Sequence, residues 1–160
     1  MKTKLGYKGV CHVDVFEDDK LVKTIDVNNT LTNGGQYCML TALSDKPQHR
    51  LVKAILGTGE TISPAINNTV SDVQDPYSKF VQFTTPTLTE PLGTIDLKVT
   101  WKLEVSEYNG LTISEIGLLY KDAALEEHLF CRVTLSGIDQ IFKTANTALN
   151  GVWTITVTES

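Results

Sequence analysis

Thr112-Ile113-Ser114-Glu115-Ile116-Gly117-Leu118-Leu119-Tyr120 decides how the rest of the chain is read. A half-buried strand alternates apolar and polar residues. Here Ile113 falls on one face of an extended segment, while Ile116, Leu118 and Tyr120 fall on the other, so the apolar phase slips at Glu115. A bulge at Glu115-Ile116 produces such a slip, and so does a strand buried on both faces. Both put a carboxylate inside an interior strand. An isolated buried charge is very costly, so Glu115 requires a cation. Arg132, on the next predicted strand, and Lys143, in the connection after it, are the two candidates. Catalytic acids also occupy such positions. No second acid or histidine stands in a recognisable arrangement with Glu115, and the expected role is a structural ion pair.

The pattern outward from this stretch is mostly β. Cys11, Val13 and Val15 alternate with His12 and Asp14, and Leu21–Val27 returns after the polar turn Asp18-Asp19-Lys20, which predicts a hairpin. Leu51–Leu56 reads as a short strand running into Gly57-Thr58-Gly59, and Lys79–Phe83 as another. Thr84–Gly93, with Pro86 and Pro91, is irregular or an edge. From Ile95 to Val105 apolar and polar residues alternate without a break, so Trp101 points to a core. Asn109-Gly110 is a turn, after which Thr112–Tyr120 is expected to pair back antiparallel, continuing as a meander through Leu129–Leu135 to Trp153–Val157. Leu31–Leu43 is the one predicted helix. Leu31, Gly35, Cys38, Met39 and Ala42 share a face, Asn33 is the expected cap with Gln36 reaching back, and Gly34-Gly35 suits a closely packed neighbouring backbone. The architecture predicted over residues 1–160 is a single, mainly β domain, an antiparallel β-sandwich with one short α-helix.

Composition narrows the function. A formal charge of −5 argues against phosphate-driven nucleic-acid binding. There is no apolar run of membrane-spanning length, and the basic N-terminus leads into no signal-like segment. Cys11, Cys38 and Cys131 are too few and too widely spaced for a disulfide framework or a zinc site. Gly57-Thr58-Gly59 lacks the lysine and helix of a phosphate loop, and His12, His49 and His128 are scattered, with surface roles expected. No catalytic, metal or cofactor residue is assigned, and no small-molecule ligand is expected. The long polar segment Thr61–Tyr77 reads as a surface loop of the kind that binds partners, and Lys121–Glu127 as a second. The partner-contact candidates are Pro64, Asn67, Asn68, Asp72, Asp75 and Tyr77 in the first, and Glu126 and Glu127 in the second.

Five segments, in order, carry a resemblance. They are Thr32-Asn33-Gly34-Gly35, then Ile55-Leu56-Gly57-Thr58-Gly59 with Pro64 in the following loop, then Ile113 to Tyr120, then Leu129-Phe130-Cys131-Arg132-Val133, and Ile141-Phe142-Lys143-Thr144 before Trp153-Thr154-Ile155. Together they resemble the amino-terminal, baseplate-attaching domain of tailed-bacteriophage tail fibres, and stand-alone virion proteins of similar length. The resemblance implies a non-enzymatic virion component, made in the host cytoplasm, that associates with itself and with other virion proteins. A fibre would continue into a shaft beyond Ser160, so the implied part is a tail, neck or baseplate adaptor, with a head-decoration protein as the alternative. A β-sandwich carbohydrate-binding module is a rival of another class. It requires exposed aromatics, for which Tyr77 and Tyr108 are the candidates.

Overall fold

The computed structural model describes residues 5–42, 49–60, 64–89 and 93–159. The strands, in chain order, are β1 (Leu5–Glu17), β2 (Lys20–Asn28), β3 (Thr30–Leu31), β4 (Arg50–Gly57), β5 (Tyr77–Phe80), β6 (Gln82–Phe83), β7 (Thr87–Thr89), β8 (Thr94–Leu103), β9 (Thr112–Ile113), β10 (Glu115–Lys121), β11 (Glu127–Thr134), β12 (Ile141–Phe142) and β13 (Thr147–Glu159). The helix α1 spans Asn33–Ala42. Six strands form one antiparallel sheet, ordered β2-β1-β13-β8-β6 with β7 also on β8; five form a second, β3-β11-β10-β4-β5; β12 pairs with β9 alone. A shared apolar core joins the two large sheets, with Val13, Val99 and Trp153 from the first meeting Leu56, Leu118 and Cys131 from the second. The chain is a mainly β, antiparallel sandwich with one short helix. Parts of the predicted Ser44–Arg50 and Thr61–Tyr77 loops (residues 44–48 and 61–63), the end of the predicted helix at Leu43, and Pro91 lie outside the described residues.

The first hairpin forms where expected. Asp18 and Asp19 both adopt positive φ, 49° and 64°, as a tight two-residue turn between right-twisted strands demands. The predicted meander does not form. β8 pairs with β13, β6 and β7, whereas β10 pairs with β4 and β11, so Glu107–Gly110 carries the chain from one sheet to the other. Tyr77–Phe83 also changes sheets, since β5 pairs with β4 and β6 with β8. Alternation in sequence specifies a strand and its buried face, but the same pattern serves a hairpin neighbour and a strand of the opposite sheet.

The phase slip at the centre of the chain is an irregularity at Ser114, one residue before Glu115. Ser114 leaves the ladder, donating its N–H to Gly57 and accepting from Leu135. β10 is then buried on both faces. Ile116, Leu118 and Tyr120 enter the main core, while Leu119 joins Ile55, Val73 and Leu129 in a second apolar cluster on the far side. Its neighbours carry the bulges: Phe130 is the extra residue opposite Leu118-Leu119, and Val52 opposite Leu119-Tyr120.

The helix starts later than predicted, because Thr30–Leu31 pairs with β11 as β3. Thr32 is the cap, accepting the Gly35 N–H on its hydroxyl; Asn33 instead reaches sideways to Asn67. Gly35 and Cys38 are buried, whereas Ala42 is exposed. The glycines permit a close approach to β11, since a Cβ at Gly35 would sit 2.0 Å from the Phe130 carbonyl oxygen. All three cysteines are free and buried, and burial raises each thiol, that of Cys38 to about 11. Replacing Gly35 by alanine forces backbone apart and should cost about 1–3 kcal/mol or more. Chemical denaturation should show a lowered midpoint, and an unchanged midpoint would mean that α1 can move off β11.

Candidate functional site

Glu115 and Arg132 form an ion pair between adjacent strands, each side chain only 1% exposed. Cross-strand geometry delivers it. Gly117 is paired with Arg132 and Glu115 with Thr134, so the two side chains lie diagonally on the far face of the second sheet. Each partner then holds the loop that covers it. Glu115 Oε1 accepts the Gly59 N–H at 3.1 Å and the Gln74 N–H at 2.9 Å. Arg132 donates to Asn68 Oδ1 at 3.1 Å and to the Glu60 and Asp72 carbonyls at 3.3 Å each. Thr58 N–H to the Gln74 carbonyl, and the Ser114 hydroxyl to the Gly59 carbonyl, close the neck. Burial pulls the Arg132 guanidinium below its ordinary value, and the Asp72 charge opposes that.

The glycine at 57 is explained by the same contact, and the one at 59 by Gln74, whose Cγ would lie 2.8 Å from a Cβ there. A Cβ at Gly57 would lie 2.2 Å from Glu115 Oε1, and Gly59 supplies an N–H to that oxygen. Gly57-Thr58-Gly59 is therefore a carboxylate cradle internal to the fold.

Lys143 is not a partner of Glu115. Fully buried, it donates to the Val105 carbonyl, to Asn109 Oδ1 at 2.7 Å and to the Thr144 carbonyl, while its backbone bonds Gly110 and Leu111. Its ammonium thus closes the crossing between β8 and β9. Burial lowers its pKa, and Glu107 and Glu17 pull the other way.

The partner-contact candidates divide. Pro64, Asn67, Asp75 and Glu126 are exposed. Asn68 is buried under Arg132 and faces inward, a correction to its placement on the contact surface. Asp72 is half-buried, its carboxylate bonded to the Thr69 N–H and hydroxyl, which hold it below the usual carboxylate range. Tyr77 belongs to β5, stacks on Tyr108 with ring centroids 5.3 Å apart and donates to Glu107; Tyr108 donates to the Asp75 carbonyl. Both rings pack against the core, so neither is the free aromatic that carbohydrate stacking requires. Glu127 lies in β11 and pairs with Lys53 at 2.7 Å.

His49 is buried beside Tyr37 and Tyr120, contrary to the surface role expected. Asp122, Glu126 and His128 bring ligand-type atoms within 4.8 Å of one another. Asp122 already accepts the Ala124 and Glu126 N–H groups on one oxygen and bonds His128 on the other at 2.8 Å, an arrangement that closes the loop before β11. An open groove of about 500 Å³ lies between Asn33, Asn67, Thr69, Ser71 and His128. On the outward face of the first sheet, His12 bridges Asp26 at 2.7 Å and Asp14 at 3.2 Å. Nothing in the sequence pattern singled out that trio, because its members lie on paired strands rather than at a motif spacing.

Glu115→Gln should destabilise the fold by about 3–5 kcal/mol, because it leaves the buried Arg132 charge without its counter-ion. Replacing both residues by methionine should be milder than either single change. Urea titration checks both, and a Glu115→Gln protein with the wild-type midpoint would contradict the pair's role. A second expectation concerns pH. The hydrogen bond to Asp26 raises the His12 pKa above 6.5. The protonated ring therefore contributes stability that is full below pH 6.5 and lost as pH rises through the folded value. Melting midpoints across that window should fall in the wild type and flatten in His12→Gln.

Comparison of the chain with protein-family models, with curated proteins and with solved structures finds no match.

Proposed function

We propose that this chain is a non-enzymatic structural component of a tailed-bacteriophage particle, at the tail, neck or baseplate, acting by self-association and by docking onto neighbouring virion proteins. The observation that carries the reading is where the resembling segments lie. Gly57-Thr58-Gly59, Ser114-Glu115 and Arg132 are far apart in sequence and meet at one ion pair. Thr32-Asn33-Gly34-Gly35 packs on Leu129-Phe130, with the Thr32 hydroxyl on both carbonyls. Lys143 fastens the crossing loop. Each segment holds backbone in place, and the buried charges are occupied with carbonyls, amides and each other.

That chemistry suits a part whose work is to keep a surface rigid. Docking onto a preformed assembly is favoured when loops are ordered beforehand, because less conformational entropy is lost on binding. The exposed residues Pro64, Asn67 and Asp75, on a loop pinned at both ends, are the contact elements of this proposal.

A tagged copy produced during particle assembly tests it. Purified particles should contain the chain, and immuno-electron microscopy should place label at one discrete position. Particles that assemble, purify and infect without incorporating it would overturn the proposal.

A further inference from the structure

The outward face of the first sheet is left uncovered by the other described elements, and its charges follow a pattern that the register makes visible. Lys8, Thr156 and Asp96 stand side by side across β1, β13 and β8. Two rows further along the order is His12, Val152 and Thr100, and then Asp14, Asn150 and Lys102. All project away from the core, since their neighbours Cys11, Val13, Trp153, Val99 and Trp101 point into it. Thr156 donates to Asp96 at 2.6 Å, which puts those two on the same face. The row between, Val10, Thr154 and Lys98, carries a cation on β8 with no charge opposite it on β1. In the first and last rows the charges are antisymmetric about β13: a cation on β1 faces an anion on β8 in one, and the signs are exchanged in the other, where Lys102 also pairs with Glu104 of its own chain at 3.1 Å.

A half-turn about an axis lying along β13, just above the face, exchanges β1 and β8 and keeps each row at its own height. Lys8 of one copy then meets Asp96 of the other, and Asp14 meets Lys102. The rotation produces each pair twice and brings the half-buried Val152 against its own counterpart. We propose that this face packs on the same face of a second copy as a two-fold, sheet-on-sheet dimer. Self-complementarity under a two-fold is the property of an isologous interface, and it singles out a second copy over an unrelated partner. Packed sheets lie ~10 Å apart, a gap that lysine and aspartate side chains span. Five strands at ~4.8 Å spacing and about ten residues at ~3.3 Å rise give a face of roughly 20 by 30 Å. That approaches the roughly 800 Å² per partner of a stable interface. The proposal rests on the virion reading for its biological setting, whereas the purified chain tests it without particles.

Sedimentation velocity on three proteins decides the matter. The wild type should dimerise at or below about 100 µM, and raised salt should weaken it. Lys8→Glu sets a carboxylate against Asp96, and Asp96→Lys sets an ammonium against Lys8, so each alone should lose about tenfold or more in self-affinity. Mixed together, the two variants should form a heterodimer, because every opposed pair is again of opposite sign. This arm requires both to fold, which circular dichroism checks. A wild type that stays monomeric at that concentration would overturn the proposal. So would a dimer indifferent to both reversals, or two folded variants that fail to associate when mixed. Dimerisation with the heterodimer rescue, in a protein absent from particles, would establish this face while counting against the virion reading.

Discussion

Two opposite charges buried side by side, Glu115 and Arg132, constrain much of the second sheet and its covering loop. A carboxylate and a guanidinium at 1% side-chain exposure each are tolerable only if they meet each other and if their remaining lone pairs and N–H groups are bonded. β10 and β11 supply the first condition through their register. The loop from Gly57 to Gln74 supplies most of the second, with Gly59 and Gln74 giving amides and Glu60, Asn68 and Asp72 giving oxygens, while the Arg132 Nε–H is left without a partner among the described residues. The loop in turn lays Val73 on Ile55, Leu119 and Leu129, which seals the pair from water. The charges order the loop, and the loop keeps the charges dry. Such a unit is expected to open cooperatively or not at all.

The same economy of parts governs the crossings between sheets. Chain that leaves one layer for another exposes backbone groups that no ladder satisfies. At the crossing between β8 and β9 the Lys143 ammonium takes two carbonyls and the Asn109 amide oxygen, so a single buried cation does there what strand pairing does elsewhere. Buried charge in this molecule is thus architectural at both of its main sites. What these two sites leave exposed includes the tips of the pinned loop and the outer face of the six-stranded sheet.

Much of this was legible in the chain. The period-two runs at Cys11–Val15 and Ile95–Leu103 located strands and their buried faces, Asp18-Asp19 located the first turn, and Gly34-Gly35 announced a close backbone neighbour. The phase slip near Glu115 correctly flagged an interior strand carrying an acid. Other features were not legible. Asn109-Gly110 looks like a hairpin turn, yet it bridges two sheets, because the local preference for a turn does not determine which layer the next strand joins. Asn68 and His49 read as loop polars, and both are buried, because burial of a loop residue depends on what covers it.

The sequence by itself determined the elements of this protein and their buried faces, since side-chain alternation and turn chemistry act over a few residues. Only the tertiary structure decided which strands pair, that Arg132 rather than Lys143 meets Glu115, and that Lys8, Asp96, Asp14 and Lys102 share one face. Those relations join residues tens of positions apart. They are set by cross-strand register and by the packing of one sheet on the other, and neither leaves a local signature in the order of amino acids.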